Sequence, residues 1–212
     1  MVKQGRKKPT IFTKANGVTF IRTILCGLSM KYAHTDVFLF VYIYTASMLL
    51  DMVDGYVSRY FNESTLIGAV YDQLLDRMTS SYVCFLNAKR YPQLLEVFYL
   101  IMVIDICGHW IHNYACALYA NTNHKKVNDA NIILKVYYEN KWLMFMSIVM
   151  YEVFFVSLYA RSMYSPGHNM YDLATRLMYI TAPLCVYKIL TNFLQGAYGC
   201  SRLLYYDQKL AQ

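Results

Sequence analysis

The chain has 212 residues, of which 57% are hydrophobic and 16% charged. A soluble domain carries about a quarter charged residues, so this composition excludes an ordinary soluble globular protein and indicates an all-α integral membrane protein. The net charge of +7 does not argue for nucleic acid as a partner, because no basic stripe is interleaved with exposed aromatics.

Residues 1–16 begin M-V-K-Q-G-R-K-K-P-T and are basic and polar. They lack the apolar core and small-residue site of a cleavable signal, and Ile11–Asn16 is expected to form a short interfacial helix on the membrane surface. A transmembrane helix needs roughly 20 mostly apolar residues. By that measure, residues 17–204 hold six predicted transmembrane helices: about 17–33, interrupted by Arg22, then 35–59, 65–88, 93–121, 142–161 and 171–204. The 22 tyrosines and 11 phenylalanines suit aromatic belts at both interfaces. Pro183 is expected to kink the last span. Glu152 reads as a paired structural carboxylate, the 12 methionines as gap-filling or lipid-facing residues, and the six cysteines, none in a C-x-x-C pair, as reduced apolar residues. With no repeat or linker, 1–212 reads as one domain.

Six spans place both termini on one side of the membrane. That side collects Lys3, Arg6, Lys7, Lys8, Lys14, Arg59, Lys125, Lys126, Lys135, Lys141, Arg202 and Lys209, against Lys31, Lys89, Arg90, Arg161 and Arg176 on the other. The positive-inside rule makes the richer side cytosolic, and the hairpin between spans two and three opens on it.

That hairpin carries the chemistry. Asp51 and Asp54 are i, i+3, while Asp72 and Asp76 are i, i+4, so each pair shares a helix face. An antiparallel helix pair sets all four carboxylates opposite one another. Like charges in a low-dielectric site need compensation, and oxygen-only ligands suit Mg²⁺ or Mn²⁺. Two such ions bridged by carboxylates form a common device for attack at phosphorus. Arg59 adds a fork of donors for phosphate, and Gly55 and Gly68 clear space beside the backbone. A non-enzymatic cation channel or transporter built on the same carboxylates leaves Arg59 unexplained.

Asp51, Asp54, Gly55, Ser58, Arg59, Gly68, Asp72 and Asp76 fit the pattern D-x-x-D-G-x-x-A-R-x8-G-x3-D-x3-D, with Ser58 in place of Ala. In this the chain resembles the CDP-alcohol phosphotransferases. Asn16, Thr19 and Arg22 look like that family's P-N-x-x-T-x-x-R segment, with Ala15 for Pro. The resemblance implies two metal ions on Asp51, Asp54, Asp72 and Asp76, with Asp76 as general base. It also implies contacts of Gly55, Arg59 and Thr65 with CDP-diacylglycerol.

Later segments bear on the acceptor alcohol. Asp105, His109, Trp110 and His112, with Gly108 for Ser, resemble the D-x-x-S-H-W-x-H stretch of eukaryotic phosphatidylinositol synthases. Asn123-His124-Lys125, Lys135-Val136-Tyr137-Tyr138 and Thr181-Ala182-Pro183 with Lys188 resemble further stretches of those enzymes. On residues alone, Asp105, His109 and His112 could form a metal site, a satisfied polar face or a polyol site. The resemblance implies inositol contacts at Asp105, His109, His112 and Lys125, and transfer of a phosphatidyl group from CDP-diacylglycerol to myo-inositol with release of CMP. It also implies a homodimer in the endoplasmic reticulum, or Golgi, with the active site facing cytosol. The same signature would serve glycerol 3-phosphate or serine as acceptor, and an anionic acceptor would call for extra basic residues near the site.

Overall fold

The computed structural model describes residues 13–119 and 131–211, and among these the regular structure is helical throughout. Seven α-helices run in order: α1 Lys14–Tyr32, α2 Val37–Tyr60, α3 Leu66–Arg90, α4 Leu95–Tyr119 after a 3₁₀ turn at Pro92–Leu94, α5 Ile132–Glu139, α6 Lys141–Met163 and α7 Asn169–Leu210. Six of them overlap the six segments predicted as spans, with α7 running six residues past the predicted end at 204. The seventh, α5, falls in a stretch read from sequence as a loop. Lys14–Asn16, expected to lie on the membrane surface, are the first residues of α1, and residues 1–12 of that expected segment lie outside the described residues.

Polar caps set several helix starts. Thr13 accepts from the Asn16 amide at 3.1 Å, Asp36 from Leu39 at 3.0 Å, Asn131 from Ile133 at 2.9 Å and Asn140 from Leu143 at 3.1 Å. Each satisfies an amide that the helix leaves orphaned, worth about 1 kcal/mol. The α2–α3 turn places Asn62 at φ 52, a left-handed position that Asn tolerates better than most residues.

Four helices are long and apolar enough to cross a membrane: Val37–Tyr60, Pro92–Leu118, Lys141–Met163 and Asn169–Leu210. The protein is an integral membrane protein on this ground. α1 and α3 are long enough but not apolar enough. α1 carries Lys14, Arg22 and Lys31, and α3 carries Asp72, Asp76, Arg77, Lys89 and Arg90. α7 is 42 residues long, about 60 Å at 1.5 Å per residue and twice the roughly 30 Å of a bilayer core. It remains helical on both sides of Pro183.

The chain forms two compact units, Met1–Thr79 and Ser80–Gln212. In the first, α1 buries Ala15, Thr19, Arg22, Cys26 and Ser29, a stripe at alternating steps of four and three. α2 buries Val37, Phe40, Tyr44, Ser47 and Asp54. These stripes meet: the Ser47 hydroxyl donates to the Arg22 carbonyl at 3.1 Å. The outward face of α2 is apolar, with Phe38, Tyr42 and Tyr56 all more than 60% exposed. Small and polar groups make up the inward stripe of α1, and α2 adds Phe40 and Tyr44 to its inward face while most of its large apolar residues face out, as suits a helix with lipid as its solvent.

The second unit is built on α7, which packs against α4 and α6. Its buried face runs Ala174, Thr181, Cys185, Lys188, Asn192, Gln195 and Gly199. Glu152 is buried and accepts from the Ser80 hydroxyl, as its reading as a paired structural carboxylate anticipates. The Asn87 amide donates to the Phe155 carbonyl at 2.9 Å, tying the end of α3 to α6. All six cysteines are free; Cys26, Cys84 and Cys185 are buried, and Cys107 and Cys200 are exposed.

The α4–α7 contact depends on absent side chains. A Cβ on Gly108 would collide with the Asn192 backbone carbonyl, and one on Gly199 would sit 2.9 Å from the His112 amide nitrogen. Backbone cannot yield as a side-chain tip can. Gly108→Ala is therefore expected to destabilise the protein by about 1–3 kcal/mol, the usual cost of overpacking, read as a lowered midpoint in thermal unfolding of the detergent-solubilised protein.

Candidate active site

The first unit gathers every residue of the aspartate signature at one point. α2 supplies Asp51 and Asp54, α3 supplies Asp72 and Asp76, and α1 supplies the group that joins them. The Arg22 guanidinium lies among all four carboxylates. Its Nη1 is 2.8 Å from Asp54 Oδ2 and 2.5 Å from Asp72 Oδ1, and its Nη2 is 2.7 Å from both Asp51 Oδ1 and Asp76 Oδ1. Each Nη thus bridges one aspartate of α2 and one of α3. Thr19, one turn before Arg22, donates its hydroxyl to Asp54 Oδ2 at 3.1 Å. Asp54 is buried, whereas the side chains of Asp51, Asp72 and Asp76 are 34%, 35% and 26% exposed.

Asp51, Asp72 and Asp76 each offer an oxygen, all within 4.8 Å of one another, a spacing that could hold a metal ion. The donor set is oxygen only, which suits a hard divalent cation. The charge count points the same way, because one guanidinium leaves most of the charge of four carboxylates uncompensated. The family's general use of divalent metal is thus compatible with these residues.

A cavity of about 190 Å³ opens beside the cluster. It is lined by Asn16 and Thr19 of α1, Asp54, Gly55, Ser58 and Arg59 of α2, and Thr65, Gly68 and Asp72 around the start of α3. The three residues expected to contact CDP-diacylglycerol, Gly55, Arg59 and Thr65, therefore share one cavity with two of the aspartates. The Arg59 side chain folds over Gly55, where an added Cβ would lie 3.4 Å from Nη1. Thr65 stands immediately before α3 and accepts from the Gly68 amide at 3.1 Å, which caps the helix. Gly68 lets Asn16 approach, since a Cβ there would collide with Asn16 Oδ1. The start of α1 is fastened to the hairpin tip by the Lys14 amide, which donates to Glu63 Oε2 at 3.0 Å, and by Lys14 Nζ, 3.6 Å from the Phe61 ring centre.

The acceptor-side candidates lie in the second unit, except Lys125, which falls outside the described residues. Asp105 is buried and accepts from Asn192 Nδ2 at 2.6 Å. His109 Nδ1 is 3.4 Å from Asp105 Oδ1 and 2.8 Å from the Asp105 carbonyl. His112 Nε2 is 2.9 Å from the Tyr138 hydroxyl, which accepts from Gln195 Nε2 at 2.8 Å. Burial pushes the Tyr138 phenol up to about 12, so it keeps its proton, and the hydroxyl can donate to His112 when Nε2 is the unprotonated ring nitrogen. Among the described residues, Asp105, His109 and His112 are not brought together as a metal-binding group. They form two neighbouring polar pairs on α4, each tied to α7.

Three buried atoms of this network have no hydrogen-bond partner: His112 Nδ1, Asn192 Oδ1 and Gln195 Oε1. Asn192 and Gln195 did not stand out in the sequence, although polar residues at i, i+3 within a span are functional candidates in principle. Arg22 stood out only as an interruption of the first span and as part of a motif. Nothing in its spacing announced that it would meet all four aspartates.

Comparison with known proteins agrees with this geometry. The CDP-alcohol phosphatidyltransferase family model matches residues 12–187. The chain is 30% identical to the CDP-diacylglycerol–inositol 3-phosphatidyltransferase of Schizosaccharomyces pombe, covering 98% of this chain and 95% of that protein. It is 33% identical to the Drosophila melanogaster protein of the same name, covering 85% and 80%, and 28% identical to the Rattus norvegicus one, covering 82% of each. No solved structure matches.

Proposed function

The chain belongs to the CDP-alcohol phosphatidyltransferase family, and we propose that it makes phosphatidylinositol, transferring the phosphatidyl group of CDP-diacylglycerol to myo-inositol and releasing CMP. The observation that carries this reading is the convergence of Asp51, Asp54, Asp72 and Asp76 beside the cavity lined by Gly55, Arg59 and Thr65. The acceptor is the one for which the relatives are named.

In this mechanism Arg59 and the backbone cleared at Gly55 hold the cytidine diphosphate portion in the cavity, with Thr65 at its rim. Asp51, Asp54, Asp72 and Asp76 would hold two Mg²⁺ or Mn²⁺ ions, whose Lewis acidity would stabilise charge on the leaving CMP. Asp76 takes the proton of the attacking inositol hydroxyl. The hydroxyl oxygen forms a bond to the phosphatidyl phosphorus as the bond from that phosphorus to CMP breaks.

Inositol is assigned to Asp105, His109, His112 and Lys125. Support comes from the unpaired atoms nearby: His112 Nδ1, a donor or acceptor by its tautomer, and Asn192 Oδ1 and Gln195 Oε1, which accept. Leaving such groups buried and unmet costs about 1–3 kcal/mol each. A ring of hydroxyls, each both donor and acceptor, answers both kinds.

The membrane arrangement that fits is six spans, α1, α2, α3, α4, α6 and α7, working as one catalytic domain. Both termini and the hairpin turn face cytosol, where basic residues concentrate. The endoplasmic reticulum, or Golgi, is the proposed location and a homodimer the proposed state.

Purified protein supplied with CDP-diacylglycerol, Mn²⁺ or Mg²⁺ and a panel of alcohols should release CMP with myo-inositol and not with serine or glycerol 3-phosphate; EDTA should stop it, and activity in EDTA would overturn the two-metal site. Asp76→Asn should lower turnover by about 10²–10⁴-fold while metal-dependent binding of CDP-diacylglycerol persists. Full turnover in that variant would remove Asp76 as base. His109→Ala should raise KM for inositol more than KM for the lipid, and equal effects would make His109 structural.

A further inference from the structure

Arg22 is 2% exposed, yet the ion pairs of its guanidinium all go to groups expected to bind metal. Its two Nη atoms contact Asp51 Oδ1, Asp54 Oδ2, Asp72 Oδ1 and Asp76 Oδ1, and its buried Nε has no hydrogen-bond partner. The guanidinium is therefore held by the carboxylates alone. Three of those carboxylates are partly exposed, so a hydrated cation can reach them from solution while the arginine stem stays sealed between helices. Guanidinium and metal ion would thus compete for the negative charge of the same carboxylates.

We propose that Arg22 is the resident counterion of the metal-free site, and that divalent cation binding displaces its guanidinium from the aspartates. The inference rests on the reading of Asp51, Asp54, Asp72 and Asp76 as metal ligands, and it makes Arg22 a positioning residue. Without metal, Arg22 pins α2 to α3 and offsets the repulsion that would spread the four carboxylates. With metal, the fourfold negative charge is met by the ions and Arg22 gives way. Affinity for metal is then lowered by the work of displacing Arg22. By linkage, metal loosens the hold of Arg22 on the hairpin to the same degree. The site stays assembled at low metal and exchanges one cation for another as metal rises.

The test compares the wild type with Arg22→Met and Arg22→Lys, full-length in nanodiscs and stripped with EDTA. Mn²⁺ is the probe, with calorimetric titration and thermal unfolding as readouts. Arg22→Met should unfold at a lower temperature without metal, gain more from saturating Mn²⁺ than the wild type does, and bind Mn²⁺ about tenfold tighter, within the usual range of coupling between two sites. Arg22→Lys keeps the charge but loses the fork; it should fall between them and carries the test if Arg22→Met does not fold. Unchanged or weaker Mn²⁺ binding in a folded variant overturns the displacement. Absence of Mn²⁺ binding by the wild type overturns the metal reading itself, and this inference with it.

Discussion

Four carboxylates held at the point where α1, α2 and α3 meet are the constraint on which the first unit depends. Such a group repels itself, and the repulsion grows as water is excluded. The protein meets it with a cation from a third helix. Arg22 reaches Asp51, Asp54, Asp72 and Asp76 together, which requires α1 to pack along α2 with small residues between. Ala15, Thr19, Cys26 and Ser29 provide that contact. The charges also explain why α1 and α3 lack the apolar character of the other long helices. They carry the site, and a helix that carries charge inward cannot be uniformly apolar.

The same logic shapes the rest of the molecule. Burial in lipid gives no hydrophobic reason for apolar side chains to hide, so inward faces are chosen for close approach and hydrogen bonding. Gly108, Gly196 and Gly199 let α4 and α7 meet at backbone distance. Beside them lie Asp105, Lys188, Asn192 and Gln195, all buried and all hydrogen-bonded on at least one side. Large apolar residues such as Phe38, Tyr42, Tyr179 and Ile180 stay outside.

Much of this was legible in the sequence, for physical reasons that differ by element. Helix positions were legible because apolar runs and polar punctuation are strong signals in a membrane protein. The aspartate cluster was legible because helical spacing converts i, i+3 and i, i+4 pairs into faces. α5 was not, since its eight residues are too few for periodicity to separate helix from loop. The partner of Arg22 was not either. A lone arginine in a span names no acceptor, and the sequence offered Arg59 as the nearer candidate for the site's positive charge. The structure instead turns Arg59 to the cavity and Arg22 to the carboxylates. Asn192 and Gln195 were hidden because an amide in an apolar run carries no spacing rule that marks it as functional.

This division between two arginines clarifies how one signature can serve different acceptors. The aspartates, Arg22 and the cavity around Gly55 and Arg59 all belong to the first unit, and their chemistry concerns phosphate and the groups that balance its charge. Nothing in them distinguishes one hydroxyl from another. The second unit holds a more mixed chemistry: amides, imidazoles and phenols with donors and acceptors left unmet in a buried setting, together with the buried Asp105 carboxylate and the buried Lys188 ammonium, which donates to the Tyr137 hydroxyl. A polyol is told from an anion by such groups, because unmet amides and imidazoles answer hydroxyls whereas an anion asks for net positive charge. Asp105, buried and paired with Asn192, weighs further against an anionic acceptor. The first unit gathers charge that any acceptor of the family would meet alike, so a choice between alcohols has to be made by groups outside the aspartate cluster, and the unsatisfied amides and imidazole of the second unit are of the kind that answers hydroxyls.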